Sequence, residues 1–245
     1  MFAVSHSTII GLVNLEESYN EVKYRIACAA EKSGRDTSEI KLVAVSKTHP
    51  IETIEEAIEV GITVFGENKV QEGVDKIAEI GRENVEWHLI GHLQKNKARK
   101  AIQNFDVIHT VDSVKLARRL ERICNEEEME VSVLVQVDLA GEATKSGITE
   151  EDLPELTEFL KSCKHLKFNG LMIIPPFFPD VEKVRPYFKR LRELRDKMNT
   201  RNAFENDFGE LSMGMSHDFE VAIDEGATLV RVGTAIFGER TGVGV

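Results

Sequence analysis

Short apolar segments and longer amphipathic segments alternate along most of the chain. The short segments are rich in β-branched residues and are bounded by glycine, proline or polar residues, a pattern that is typical of buried strands. They cover residues 41–46, 63–65, 85–90, 107–110, 131–138, 167–174, 210–212 and 229–232. We therefore predict a strand at each of these positions.

The longer segments repeat apolar residues at helical spacing. They cover residues 51–60, 69–80, 95–103, 114–127, 151–162, 181–198 and 218–225, and an additional helix over residues 15–32 precedes the first strand. Strands that alternate with helices predict a parallel sheet covered by helices. The number of units and the length of 245 residues match a single α/β domain over residues 1–245, a closed (β/α)8 TIM barrel with an extra N-terminal helix.

An open, doubly wound sheet is the alternative fold for this alternation. The glycine-rich turn Gly-x-Gly-x-x-Gly does not follow the first predicted strand. Its absence counts against a dinucleotide-binding version of the open sheet. The chain also contains no linker-like composition shift, internal repeat or low-complexity tract, so we predict one domain.

The composition is that of a globular protein, with 42% hydrophobic and 30% charged residues, and the formal net charge is −11. Such a charge repels phosphate backbones and argues against general nucleic-acid binding. The three cysteines are far apart in sequence and form no Cys-x-x-Cys pair, as is usual for reduced proteins. The chain has neither a basic signal-peptide start nor an apolar stretch of about 18 residues. We therefore expect a cytoplasmic protein that does not bind membranes.

Lys47 directly follows the first predicted strand. In α/β proteins the carboxyl ends of the strands carry the chemistry. An amine held there among apolar neighbours loses hydration, which lowers its pKa and makes it a nucleophile toward aldehydes. The alternative is an ordinary lysine whose ammonium reaches into solvent from the end of a strand.

Small and hydroxyl-bearing residues follow the last two predicted strands. Ser212 and Ser216 lie in the first of these segments and Thr234 in the second. Hydroxyls and free backbone N–H groups in such turns can bind an anion, and TIM barrels often place a phosphate site here. Ordinary tight turns are the alternative interpretation. A reactive lysine facing an anion site indicates a phosphorylated aldehyde, of which pyridoxal 5′-phosphate (PLP) is the common example.

Six ordered motifs make the chain recognisable. They are VAVSKT (43–48), FGEN (65–68), WHLIGHLQ (87–94), GLMIIPP (170–176), LSMGMS (211–216) and VRVGTAIFG (230–238). Together they closely resemble the YggS/PROSC family of PLP-binding proteins. The resemblance extends from about residue 40 to residue 240.

The resemblance implies a barrel akin to the N-terminal domain of bacterial alanine racemase, with PLP at its mouth. If the residue roles of the family apply to this sequence, Lys47 would be the Schiff-base lysine, and Arg231 would face the pyridine nitrogen. The remaining residues would hold the phosphate (Ser212, Ser216, Gly233, Thr234) or line the ring (Asn68, Met213). The family is associated with vitamin B6 and amino-acid homeostasis. We therefore expect a monomer that binds PLP and related B6 vitamers and that exchanges PLP with apo-enzymes.

We expect little racemase activity. A charged guanidinium at position 231 disfavours protonation of the pyridine nitrogen and so weakens the ring as an electron sink. Racemisation also needs an acid/base group on the opposite face of the substrate. In alanine racemase that group comes from a second domain, whereas this sequence ends at Val245, soon after the last predicted strand. A PLP-dependent enzyme of the same fold, or a Schiff-base lyase or aldolase that uses Lys47 directly, remains the alternative.

Three histidines are candidate functional residues, but their sequence context argues against a metal site or a catalytic role. His88 and His92 have the spacing of zinc ligands on a helix, but they begin on a predicted strand, where four residues span about 13 Å. His109 lies inside another predicted strand. We expect it to be a packed strand residue and not a catalytic group.

Overall fold

A closed barrel of parallel strands forms the centre of the molecule. The computed structural model describes residues 14–141, 146–200, 204–205 and 209–239. Within them each strand pairs with the next along the chain, and the last pairs with the first. The strands are β1 Lys41–Val45, β2 Val64–Glu67, β3 Glu86–Leu89, β4 Val107–Val111, β5 Val131–Gln136, β6 Leu166–Met172, β7 Glu210–Met215 and β8 Leu229–Val232. The predicted (β/α)8 barrel is confirmed.

The helices surround this barrel. They are α1 Leu15–Lys32, α2 Ile51–Glu59, α3 Val70–Ile80, α4 Ala98–Asn104, α5 Val114–Glu127, α6 Leu153–Lys161, α7 Arg185–Asn199, α8 Phe219–Asp224 and α9 Thr234–Phe237. Short 3-10 turns occupy Thr37–Glu39, Lys95–Lys97 and Val181–Val184. The extra helix α1 precedes the barrel and packs against α8 and α9.

Most predicted elements occur within a few residues of their expected positions. The helix expected over 95–103 begins as a 3-10 turn. β2 continues to Glu67 because Gly66 and Glu67 pair with His88 and Leu89 of β3. The sequence did not predict α9, which is a single turn and too short to show a helical period. The extent of the domain, residues 1–245, stays a prediction.

Apolar side chains form two separate buried clusters. The larger cluster lies between the sheet and the helices and includes Trp87 and Phe105. The smaller one consists of Val43, Leu134, Met172 and Leu229. Its members come from strands on opposite sides of the barrel, β1 and β5 among them, so they meet in the barrel interior.

Polar side chains also occupy the barrel interior. His88, His109 and Ser212 are completely buried, and Arg231 is 4% exposed. Buried polar groups need hydrogen-bond partners, and these residues supply them to one another, as described below. None of the described helices has the length and hydropathy needed to cross a membrane.

Candidate functional site

A cavity of about 490 Å³ opens at the carboxyl ends of the strands. This is the end of a TIM barrel where the loops after the strands converge. The residues that line it include six of the predicted site residues, Lys47, Asn68, Ser216, Arg231, Gly233 and Thr234. Side chains that are far apart in sequence therefore share one mouth, as the strand-end argument predicts.

Lys47 is half-buried in the loop that follows β1. A buried ion cluster holds the backbone on both sides of it. The Lys76 ammonium donates to the Ser46 carbonyl at 2.8 Å, and the Thr48 N–H donates to the Glu72 carboxylate. Thr48 has a φ of +67°, in the left-handed region that non-glycine residues rarely adopt. These contacts fix the path of the loop and hence the origin of the Lys47 side chain.

The same cluster continues into the end of β2. Glu67 is completely buried, and one of its oxygens accepts from the Ser46 hydroxyl at 2.6 Å and from Lys76 at 2.8 Å. Burial raises the pKa of Glu67, although Lys76 opposes the rise. Glu72 is more exposed, and against the effect of burial the hydrogen bonds from Lys76 and Thr48 lower its pKa. The cluster therefore joins β1, β2 and α3 beneath the loop of Lys47.

Backbone N–H groups and hydroxyls meet on the β7 and β8 side of the mouth. The Ser216 hydroxyl accepts from the Gly233 N–H at 3.2 Å and from the Ala235 N–H at 3.4 Å. Thr234 is exposed at the start of α9. A Cβ added at Gly233 would lie 3.3 Å from the side chain and the carbonyl oxygen of Val45. Glycine there lets the β8 loop pack closely against the end of β1, next to the loop of Lys47.

Asn68 and Gly91 form the wall on the β2 and β3 side. Asn68 is half-buried. A Cβ added at Gly91 would lie 2.0 Å from the backbone oxygen of Asn68. No side chain fits in that space, so a residue other than glycine would push the two loops apart. The width of the cavity at Asn68 therefore depends on Gly91.

Arg231 points from β8 into the barrel beneath the cavity. Its Nη1 donates to the Ser212 hydroxyl at 2.6 Å, and its Nη2 donates to the Ile173 carbonyl at 2.8 Å. Burial lowers the pKa of Arg231 to about 10, with the Asp218 carboxylate acting in the opposite direction. The guanidinium therefore remains charged at neutral pH and presents a fixed positive group to the cavity.

The two remaining predicted residues lie elsewhere. Neither Ser212 nor Met213 is among the described residues that line the cavity. Successive residues of a strand point to opposite faces. The Ser212 side chain points into the barrel, where it contacts Arg231 and His109. Met213 is completely buried in the large apolar cluster. The phosphate contact of Ser212 and the ring contact of Met213 that the resemblance implied stay predictions.

Other side chains at the mouth were not among the predicted site residues. His49, His92 and His217 line the cavity, and His92 Nδ1 lies 3.4 Å from the Asp112 carboxylate. Their positions just after strands were a usable signal. His88 and His109 are inside the barrel, hydrogen-bonded to each other at 2.8 Å. His88 therefore does not share a site with His92, because one is buried and the other is exposed at the mouth.

An apolar rim borders the β6 and β7 side of the cavity. Ile174 and Met215 line the cavity and are partly exposed, and Phe177 is 75% exposed. The Phe177 ring packs against the His217 ring with centroids 5.2 Å apart. Exposed large apolar side chains that adjoin a cavity often mark a contact surface. We refer to Ile174, Phe177 and Met215 below as the apolar rim.

The cavity brings together three kinds of functional group. The loop after β1 supplies an amine, the adjoining loops after β7 and β8 supply N–H and hydroxyl groups suited to an anion, and the base of the cavity supplies a guanidinium. These features define a barrel of the alanine racemase N-terminal domain class, whose family model matches residues 18–241.

Curated relatives narrow the class further. The chain is 43% identical over 228 residues to the pyridoxal phosphate homeostasis protein of Aquifex aeolicus (strain VF5), which covers 93% of this chain and 99% of that protein. It is 43% identical over 223 residues to the protein of the same name from Escherichia coli (strain K12), covering 90% and 94%. The chain belongs to this family of pyridoxal phosphate homeostasis proteins, which confirms the resemblance noted in its motifs.

A solved structure gives the same fold. PipY of Synechococcus elongatus PCC7942, determined with PLP bound, superposes with a TM-score of 0.78 at 36% sequence identity. The match covers 92% of this chain and 100% of that chain. The same protein determined without PLP gives a TM-score of 0.79.

Proposed function

We propose that this protein binds PLP at the mouth of its barrel and takes part in vitamin B6 homeostasis. The observation that carries the proposal is that Lys47, Ser216, Gly233, Thr234 and Arg231 line one cavity of about 490 Å³. Family membership supports it, as does the PLP bound in PipY of Synechococcus elongatus PCC7942. When bound, PLP supplies an aldehyde that condenses with amines.

The residues of the cavity fit each part of this cofactor. Lys47 would hold the aldehyde through a Schiff base, and Asn68 would border the ring. Ser216 and Thr234 would offer hydroxyl donors to the phosphate, and the Gly233 N–H, which donates to the Ser216 hydroxyl at 3.2 Å, would lie beside it. Arg231 would face the pyridine nitrogen. A guanidinium that stays charged at neutral pH keeps this nitrogen unprotonated, which limits carbanion chemistry. A storage or carrier role is compatible with that limit.

We propose that the protein is a cytoplasmic monomer and that its partners are acceptor enzymes. The apolar rim lies beside the cavity, where another protein could receive the cofactor directly. The described cysteines are free thiols, as expected in a reducing compartment.

A second candidate function is a PLP-dependent enzyme of the same fold. The supporting observation is His92, which lines the cavity and lies 3.4 Å from Asp112. A histidine oriented by a carboxylate can serve as a general acid/base. Exchange of the α-hydrogen of alanine in deuterated water, lost in His92→Asn, would support this candidate over the carrier role.

Borohydride reduction followed by peptide mass spectrometry tests the binding proposal. Incubation with PLP should give a visible absorbance band, and after reduction the modification should lie on the peptide that contains Lys47. Lys47→Ala should lose the band. Lys115→Ala, which changes an exposed lysine of α5, should keep it. A modification on another lysine, or none, would contradict the proposal.

A further inference from the structure

A chain of hydrogen-bonded side chains crosses the interior of the barrel. It begins at Glu86, where β3 begins, and passes through His88 and His109 to Ser212 and Arg231. The Glu86 Oε1–His88 Nε2 distance is 2.9 Å, the His88 Nδ1–His109 Nε2 distance is 2.8 Å, and the His109 Nδ1–Ser212 Oγ distance is 2.9 Å. Arg231 Nη1 closes the chain at 2.6 Å from Ser212 Oγ. The chain links the amino-terminal end of the barrel to the cavity.

The two ends of this chain determine where its protons lie. The guanidinium of Arg231 can only donate, so the Ser212 oxygen accepts from it and directs its own proton to His109 Nδ1. His109 must then carry its proton on Nε2 and donate to His88 Nδ1. His88 carries its proton on Nε2 and donates to the Glu86 carboxylate, which can only accept. Every group has a complementary partner when both imidazoles are neutral.

The charges that surround the chain favour this state. Burial lowers the pKa of His88, although Glu86 opposes the shift. Burial, together with the nearby charges of Arg231 and Lys41, holds the pKa of His109 well below its usual value. The hydrogen bond from His88 lowers the pKa of Glu86 to about 2. At neutral pH the chain therefore has a carboxylate at one end, a guanidinium at the other and neutral rings between them.

Filling the barrel interior with a buried polar chain costs more free energy than filling it with apolar side chains. The neighbouring interior positions are filled by Val43, Leu134, Met172 and Leu229. Replacing buried polar networks by apolar side chains of similar volume is often neutral or stabilising. A fully satisfied network instead fixes one arrangement of its members. Arg231 is the member of the chain that lines the cavity, so it is the group whose arrangement reaches the site.

We propose that Glu86, His88, His109 and Ser212 form a relay that positions Arg231 and sets the electronic state of the ring bound above it. The inference rests on the proposed function. It reassigns Ser212 from phosphate contact to positioning of the guanidinium. It also gives Glu86, at the opposite end of the barrel, an influence on the cofactor through the two imidazoles.

The ring nitrogen of the bound cofactor is the direct reporter. Protein loaded with ¹⁵N-labelled PLP gives a nitrogen chemical shift that depends on its hydrogen bond and protonation. His109→Phe keeps an aromatic ring but removes both hydrogen bonds. We expect loading on Lys47 to persist, the ¹⁵N shift to move toward that of PLP in water, and the dissociation constant to rise about tenfold. His109→Gln can keep one hydrogen bond. Its ¹⁵N shift and dissociation constant should therefore lie between those of the unmodified protein and those of His109→Phe.

Two further variants separate positioning from loss of stability. Leu134→Ala removes an apolar side chain from the same interior and should destabilise the barrel without moving the ¹⁵N shift. Glu86→Gln keeps the shape of the far end and should move the shift in the same direction as His109→Phe. It carries the test if the phenylalanine variant does not fold.

The outcomes distinguish failure of the relay from failure of the proposed function. Normal loading with an unchanged ¹⁵N shift in His109→Phe and Glu86→Gln would overturn the relay, as would an equal shift in Leu134→Ala. Absence of loading in the unmodified protein would contradict the proposed function, and this inference with it.

Discussion

The ammonium of Lys76 lies 2.8 Å from the carboxylate of Glu67, and both side chains are almost completely buried. This ion pair lies directly beneath the loop of Lys47, because Lys76 also contacts the Ser46 carbonyl. The second oxygen of Glu67 has no hydrogen-bond partner among the described residues. The buried negative charge of Glu67 therefore depends on the Lys76 ammonium for its compensation.

Removing Lys76 should destabilise the protein strongly. Lys76→Met leaves the Glu67 carboxylate buried without its cation, and such changes cost about 3–5 kcal/mol. Since burial raises the pKa of Glu67, the folded variant holds this proton more tightly than the unfolded chain. The loss of stability caused by Lys76→Met should thus be larger at alkaline pH than at mildly acidic pH. Urea unfolding at several pH values measures it, and Lys76→Met with Glu67→Leu should recover much of the stability. Equal losses at all pH values would argue against the buried charge as the cause.

Glu86 should contribute to the acid stability of the fold. Its pKa falls from an ordinary value of 4.5 to about 2, mainly through the hydrogen bond from His88. Because the folded state holds this proton less tightly than the unfolded state, the stabilisation is complete above pH 4.5 and is lost as the pH falls toward 2. Glu86→Gln should flatten this part of the stability curve, measured by denaturant unfolding between those values. Glu130→Gln, on an exposed carboxylate, should leave it unchanged.

Gly91 and Gly233 should differ in their tolerance of alanine. A Cβ at Gly91 would lie 2.0 Å from backbone, whereas at Gly233 the nearest atoms are 3.3 Å away. Overpacking typically costs about 1–3 kcal/mol, so Gly91→Ala should lower the free energy of unfolding by at least the upper part of this range. Gly233→Ala should cost less than half as much. PLP binding should weaken in both variants, and thermal unfolding without ligand separates the two effects.

Ser216 and Ser212 should respond differently to the phosphate group. Ser216→Ala removes the oxygen that organises the N–H groups of Gly233 and Ala235. We expect the dissociation constant for PLP to rise about tenfold, with a small change for pyridoxal, which lacks the phosphate. Ser212→Ala acts through Arg231 and should weaken both vitamers by similar factors. Titrations of the two variants with both vitamers check this. A selective loss of PLP binding in Ser212→Ala would instead restore Ser212 as a phosphate contact.

The barrel was predictable because its strands are short apolar runs separated by regular helices. The positions of Lys47, Ser216 and Thr234 at one mouth follow from that order alone, since parallel strands place all their carboxyl ends on one side. Asn68, Arg231 and Gly233 also lie at strand ends, and recognition of the family added their roles toward the cofactor. These residues carry no pattern of their own, because a half-buried asparagine or a strand arginine has many structural uses.

The interior of the barrel was not predictable in the same way. His109 reads as a packed strand residue, and it is one, but its partners come from β3 and β7. Period-2 alternation shows which face a side chain occupies but not which residues meet across a closed sheet. The contacts of Ser212 inside the barrel were not predictable for this reason. Its segment follows the pattern of an anion-binding turn, whereas β7 continues to Met215 and directs the serine inward.

The seam of the barrel joins its first and last strands, and Val43 of β1 pairs with Arg231 of β8. Contacts between residues far apart in sequence carry a large entropy of loop closure and slow folding. Lys47 and Thr234 lie on opposite sides of this seam, so a ligand held by both would act as a clasp across it. Amide protons of β1 and β8 should then exchange with solvent more slowly once the clasp is in place.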